Sequence, residues 1–182
     1  MTPKDPERTR ERLIEATLLT LQTEGTSKLS LESIARQAGV SKGGLLHHYP
    51  SKDALIQAIV QSLLDAFEHS VTHYAAQEPE RPGRWLRAYI HASFENSSQQ
   101  AEQGAVLLAL IAENRTLLPF VQDDLQRWHL RLIQDGVPIV RATIIRQAAD
   151  ATWIEALLGT PVDMNMRQQI YEELLRMTEV TP

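Results

Sequence analysis

Apolar residues recur every three to four positions along most of the chain, the period of helices buried on one side, and no strand-type alternation interrupts them. Leu13, Ile14, Thr17, Leu18 and Leu21 share one side of a first predicted helix, which ends near Gly25. Asp5 and Pro6 stand at its cap and first-turn positions. Leu31, Ile34, Ala35 and Ala38 mark a short second helix capped by Ser30 and stopped at Gly39. Val40 can plug the interior, and Ser41 can cap a third helix from 42 to about 48, with Leu45 as its apolar pin. Pro50 and Ser51 open a long helix to about residue 76, on which Leu55, Ile59, Leu63, Phe67, Val71 and Tyr74 lie about one turn apart. Residues 77–83, polar with two prolines, read as a loop. Trp85, Leu86, Tyr89, Ile90, Ser93 and Phe94 then mark an amphipathic helix. Residues 104–112 are apolar all round and are predicted to be buried. Val121, Leu125, Trp128 and Leu132 give a further helix over 118–133. Asp135 and Gly136 break it, Pro138 starts the next, which runs to Leu158, and a last helix covers about 164–177. The expected fold is all-α, with about nine helices.

The second and third helices, joined by a tight turn, form the arrangement that places a helix in a DNA major groove. Ala35 is small where the two would cross, and Gly39 sits where the backbone needs positive φ. The same spacing suits a plain helical hairpin in a core, so spacing by itself leaves both readings open.

The following residues sharpen the choice. Ser41, Gly43, Leu45, His48, Tyr49, Ser51, Lys52, Ala54 and Leu55 resemble the signature of the tetracycline-repressor (TetR) family of bacterial transcription regulators. Ile14, Ala16 and Gly25 likewise resemble the family's first helix, and the specific likeness covers about residues 8–60. Gly44 stands where the family usually has Thr, Ser or Ala, and Leu46 where it often has Tyr, so one hydroxyl and one aromatic ring are missing from this recognition helix. The resemblance implies a three-helix DNA-binding domain at 1–50, of helix-turn-helix type, and a helical effector-binding and dimerisation domain at 51–182. It also implies that DNA is met by Ser30, Ser41, Lys42, Gly43, Gly44, Leu46, His47, His48, Tyr49 and Lys52, the last against the phosphate backbone.

Composition fits such a chain. Its 182 residues, 43% hydrophobic and 23% charged, suffice for a real core. The net charge of −5 is unevenly spread: residues 1–52 hold eight basic and six acidic side chains, with all four lysines, whereas 53–182 hold ten arginines and seventeen acids. Local charge decides where phosphates dock. The absence of cysteine excludes disulfides and thiolate metal sites. With no signal-like segment and no membrane-length apolar run, a cytoplasmic protein is expected.

The second domain is rich in rings. Phe67, Trp85, Tyr89, Phe94, Trp128 and Trp153, with Leu107 and Ile111, read residue by residue as ordinary core before anything else, and it is the resemblance that makes them candidates for an effector cavity. His91, Asn114 and His129 are its few polar candidates, so the effector is expected to be small and largely apolar. Two-fold pairing of recognition helices on a near-palindromic operator requires a homodimer. Its expected interface is Ala148, Ala151, Thr152, Ile154, Glu155 and Leu158 of the penultimate helix with Ile170, Leu174 and Leu175 of the last. The long helix from 52 to 76 is the expected rigid lever between effector and DNA. His69 and His73 have zinc-compatible spacing but no completing ligand, and Glu113, Asp123 and Asp124 read as solvated acids. No catalytic motif or cofactor fingerprint is present, so no enzyme and no cofactor are expected. The expected function is a transcriptional repressor released by its effector; a helical carrier or protein-interaction module without DNA binding is the alternative.

Overall fold

The computed structural model describes residues 6–95, 97–160 and 162–180, with backbone alone at 97 and 98. Asp5, the expected first cap, lies outside the described residues. Among those described there are nine α-helices and no strand: α1 (Pro6–Glu24), α2 (Leu31–Gln37), α3 (Lys42–His48), α4 (Lys52–Gln77), α5 (Arg84–Glu95), α6 (Ser97–Glu113), α7 (Leu118–Ile133), α8 (Ile139–Leu157) and α9 (Met164–Met177). None of these helices is by itself long and apolar enough to cross a membrane.

Two compact units result. The first is the chain up to Leu63 together with Val106–Leu117, and the second is Leu64–Ala105 together with the chain from Leu118 onward. The division falls inside α4 and inside α6, so both helices run from one unit into the other. Two helices, and not only the expected α4, thus cross the division.

In the first unit, Leu13, Ile34, Leu45, Leu55 and Ile59 are completely buried. Each contributes about 1.5–3 kcal/mol by leaving water. Thr26, in the turn of 3-10 helix after α1, donates its hydroxyl to Glu113 at the end of α6. Glu113 is thus an exposed acid with a partner.

The second unit is built around α5, whose buried residues include Leu86, Ala88, Tyr89, Ile90 and Ala92. They pack with Trp128 and Leu132 of α7, Ala142, Ile145 and Ala149 of α8, and Leu174 of α9. Arg87 is buried as well. Its Nε donates to Glu78 at 2.5 Å and its Nη1 to the carbonyl of Pro82 at 2.9 Å. Glu78 also meets His91 Nε2 at 3.2 Å, and His91 Nδ1 meets the Tyr171 hydroxyl at 2.7 Å. This chain of polar contacts ties the end of α4 to α5 and α9.

Three expectations change. α6 is not buried all round: Val106 and Leu110 face inward, but Leu108 is 48% exposed and Ala109 and Ala112 are exposed with it. An apolar stretch around a helix says only that burial is tolerated, and this helix has neighbours on one side. Asp124 is not a solvated acid but only 7% exposed, accepting from Arg127 one turn on, whereas Leu125 is exposed. The inward stripe of α7 therefore runs through Asp124, Trp128 and Leu132.

Candidate nucleic-acid interface

The reading head begins with two hydroxyl caps. Ser30 Oγ accepts from Ser33 N at 3.1 Å and Ser41 Oγ from Gly44 N at 3.0 Å, each satisfying a first-turn amide that would otherwise be orphaned. Between them Gly39 turns the chain at φ +66°, a conformation that side-chain-bearing residues rarely take. Leu45 pins α3 to the unit's core, and Ala38 closes the contact under the turn. The other side of α3 stays open: Ser41, Lys42, Gly43, Leu46 and His47 are exposed, and Gly44 and His48 are half-buried. Lys52 is exposed at the start of α4, whose first turn is capped by Ser51 Oγ accepting from Ala54 N at 3.0 Å.

The two glycines of α3 differ. A methyl group on Gly43 would meet nothing within 4 Å, whereas one on Gly44 would press on the capping Ser41 Oγ at 3.2 Å. Gly43 thus presents bare backbone outward, and Gly44 guards the cap.

Tyr49 is the exception among the expected DNA contacts. It is buried, and burial raises its phenol above the ordinary value, with Arg10 opposing and Glu7 reinforcing the shift. It stands at the C-cap of α3, where its main-chain amide donates to the Leu45 carbonyl. Arg36 on α2 and Lys28 before it are exposed cations that the motif did not single out.

The eight expected effector residues do not form one cluster. Leu107 and Ile111 belong to the first unit and the other six to the second. Phe67, Tyr89 and Trp128 pack edge to face, with ring centroids 5.1–6.1 Å apart. Tyr89 OH donates to Asp150 at 2.5 Å, and Asp150 also accepts from Arg146 at 2.6 Å. Burial raises both the Tyr89 phenol and the Asp150 carboxyl. Trp85 sits apart, under the guanidinium of Arg131 at 4.5 Å. Trp153 lies so close on Gly104 that a methyl group there would come within 2.4 Å of its ring. Phe94 alone of the eight lines a groove of about 1020 Å³ in the second unit, with Ala105 of α6, Ala148 and Thr152 of α8, and Ile170 of α9.

The expected dimer residues divide as well. Leu174 is buried in its own chain's core and Leu175 packs against it, leaving Leu174 nothing to offer a second copy. Thr152 turns its hydroxyl inward to the carbonyls of Ala149 and Ser93. Ile154 and Leu158 are exposed, and Val140 and Ile144 join them to make a stripe that sequence reasoning began too late to include. Its spacing of four, seven, three and four through Val140, Ile144, Ala151, Ile154 and Leu158 could have revealed it. His69 and His73 are both exposed.

Two family profiles match the chain. One, described as bacterial regulatory proteins of the tetR family, covers residues 13–59, and the other, the tetracyclin repressor-like C-terminal domain, covers 83–179. The HTH-type transcriptional regulator BetI of Burkholderia lata is 28% identical over 165 residues, 85% of each chain. Among solved structures, a TetR-family member from Streptomyces coelicolor superposes with a TM-score of 0.69 at 21% identity, covering 94% of this chain and 99% of that one. The multidrug binding protein EbrR, solved with malachite green, superposes with a TM-score of 0.66 at 19% identity, covering 98% and 100%. At such identities the superpositions speak for the fold alone. Matched by one profile on its reading head and by the other over more than half its length, the chain belongs to the TetR family of bacterial transcription regulators, DNA-binding proteins rather than enzymes.

Proposed function

We propose that the protein is a repressor that grips a near-palindromic operator as a homodimer, with one α3 in the major groove of each half-site, and that an effector in the second unit releases it. The observation that carries this reading is the two-sidedness of α3. Leu45 anchors it, while Lys42, Gly43, Leu46 and His47 are exposed along the other side with Lys52 beyond. Ser30, Ser41 and backbone amides supply neutral phosphate contacts, and Lys52 supplies a charged one. One short helix reads too few base pairs for useful specificity, so two copies are needed. The stripe on α8 from Val140 to Leu158 supplies the dimer contact. Phe67, Tyr89 and Trp128 serve as core, which leaves the groove beside Phe94 as the space for the effector. Because α4 and α6 each continue into the reading unit, strain at an effector site can bias the spacing of the two heads.

The test is a mobility shift on the DNA flanking the protein's own gene, repeated over a range of salt. A discrete complex on one near-palindromic site is expected, and Lys52→Ala should lower the slope of log affinity against log salt by about one. Uniform, sequence-indifferent binding, or none, would overturn the reading.

A further inference from the structure

The groove's chemistry points to the class of molecule it takes. Its floor is apolar, made by Phe94, Ala105, Ala148 and Ile170. Its charged residues are Glu102, Glu155, Asp163 and Arg167. Two of these are already engaged. Asp163 caps α9, accepting from Met166 N at 2.9 Å. Arg167 donates to the Phe94 carbonyl at 2.7 Å and lies over the Phe94 ring at 5.1 Å. The carboxylates of Glu102, which is exposed, and Glu155, which is half-buried, have no hydrogen bond or ion pair among the described residues, and both residues line the groove. Two unpartnered carboxylates beside an apolar wall repel an anion and leave a neutral ligand without reward for their field. A small hydrated cation would gain charge but waste the wall. Only a ligand that combines positive charge with apolar bulk satisfies both.

We propose that this groove binds an organic cation with an apolar body, its charge facing Glu102 and Glu155 and its body against Phe94, Ala148 and Ile170. The proposal rests on the reading of the protein as an effector-responsive regulator and names the class of that effector. The groove stands at the upper limit of the usual size range of small-molecule sites, roughly 300–1,000 Å³, so a cation carrying several rings can enter. Trp153, on the same helix as Glu155, packs on Gly104 of α6.

Tetraphenylphosphonium and tetraphenylborate share shape and bulk and differ in the sign of charge. Calorimetric titration of each into the full chain, without DNA, is the experiment. The phosphonium should bind and the borate should not. Glu102→Gln with Glu155→Gln should weaken the phosphonium at least tenfold and let the borate bind, and Ala148→Trp should block both by filling the groove. Equal affinity for the two ions, or unchanged phosphonium affinity in the double variant, would overturn the proposal. So would a groove covered by a second copy of the chain, in which case neither ion binds and Ala148→Trp splits the dimer. Operator binding by the unliganded protein is measured separately. Failure of the ion titration with intact operator recognition therefore removes this inference and leaves the regulator standing.

Discussion

The guanidinium of Arg12, on α1, donates to the main-chain carbonyl of Ala38, the residue that ends α2. The same group lies against the turn glycine, since a methyl on Gly39 would stand 2.7 Å from Arg12 Nη2. With Thr20 donating to Gln37 at 2.8 Å, α1 holds the end of α2 at two points and so sets the angle at which α3 leaves the turn. Arg12 is in this sense a positioning residue. Its guanidinium is engaged by a main-chain carbonyl.

Arg12→Ala should therefore cost stability and specificity without changing the number of phosphates neutralised. The expected loss is about 1 kcal/mol, below the usual range for a charge-assisted hydrogen bond because Arg12 is exposed to water. Urea unfolding should read that loss. Operator affinity should fall while the salt slope stays as in the parent protein. A slope lowered by one would show that Arg12 contacts phosphate instead.

α8 carries apolar residues on both sides, and only one is used within the chain. Ala142, Ile145 and Ala149 face the core, whereas Val140 is 70% and Leu158 69% exposed. Ile154→Asp with Leu158→Asp should convert a dimer to a monomer in sedimentation, with helical content unchanged by circular dichroism. A dimer that survives both charges would move the interface elsewhere.

The reading head was legible because its signals are local. Ser30, Ser41 and Gly39 act on their own turns, and a cap or a positive φ needs no knowledge of distant residues. The limits of several helices followed for the same reason, the last spanning Met164–Met177 as periodicity predicted, whereas α6 begins at Ser97, seven residues before the apolar stretch that marked it. What the sequence hid depends on which side of a helix finds a neighbour. Tyr49 reads as an outward aromatic until the Arg10 and Glu7 end of α1 is set beside it. Asp124 reads as solvated until Arg127 and the packing of α7 enclose it. The apolar stretch of α6 gives no sign that Leu108 is left in water. Arg87 and Glu78 are nine residues apart and charged, and nothing in their pattern marks them as a buried pair.

Burial, only partly offset by the Tyr89 hydroxyl and Arg146, raises the Asp150 carboxyl above the ordinary carboxylate range. The folded chain thus binds this proton more tightly than the unfolded chain does. Its contribution to stability is full in acid and is lost as pH rises from the unfolded value, about 3.9, through the raised one. The stability of the parent relative to Asp150→Asn, from urea unfolding at a series of pH values, should accordingly decrease across that window and stay flat above it. A difference that grows with pH would mean that the Arg146 pair outweighs burial.

On the proposed function α3 lies in a major groove with its backbone close to the bases, and Gly43 offers the cleanest probe of that placement. A side chain there meets nothing within 4 Å in the protein, so the fold has no reason to object, whereas one at Gly44 disturbs the Ser41 cap. The decisive measurement is fluorescence anisotropy with a site selected from random DNA, comparing the parent with Gly43→Leu at matched helical content. The parent should bind the selected site about 10³-fold or more tighter than random DNA, and the variant should lose that preference while keeping its weak, salt-dependent binding. Unaltered preference in Gly43→Leu would rule out close approach of the α3 backbone to the bases.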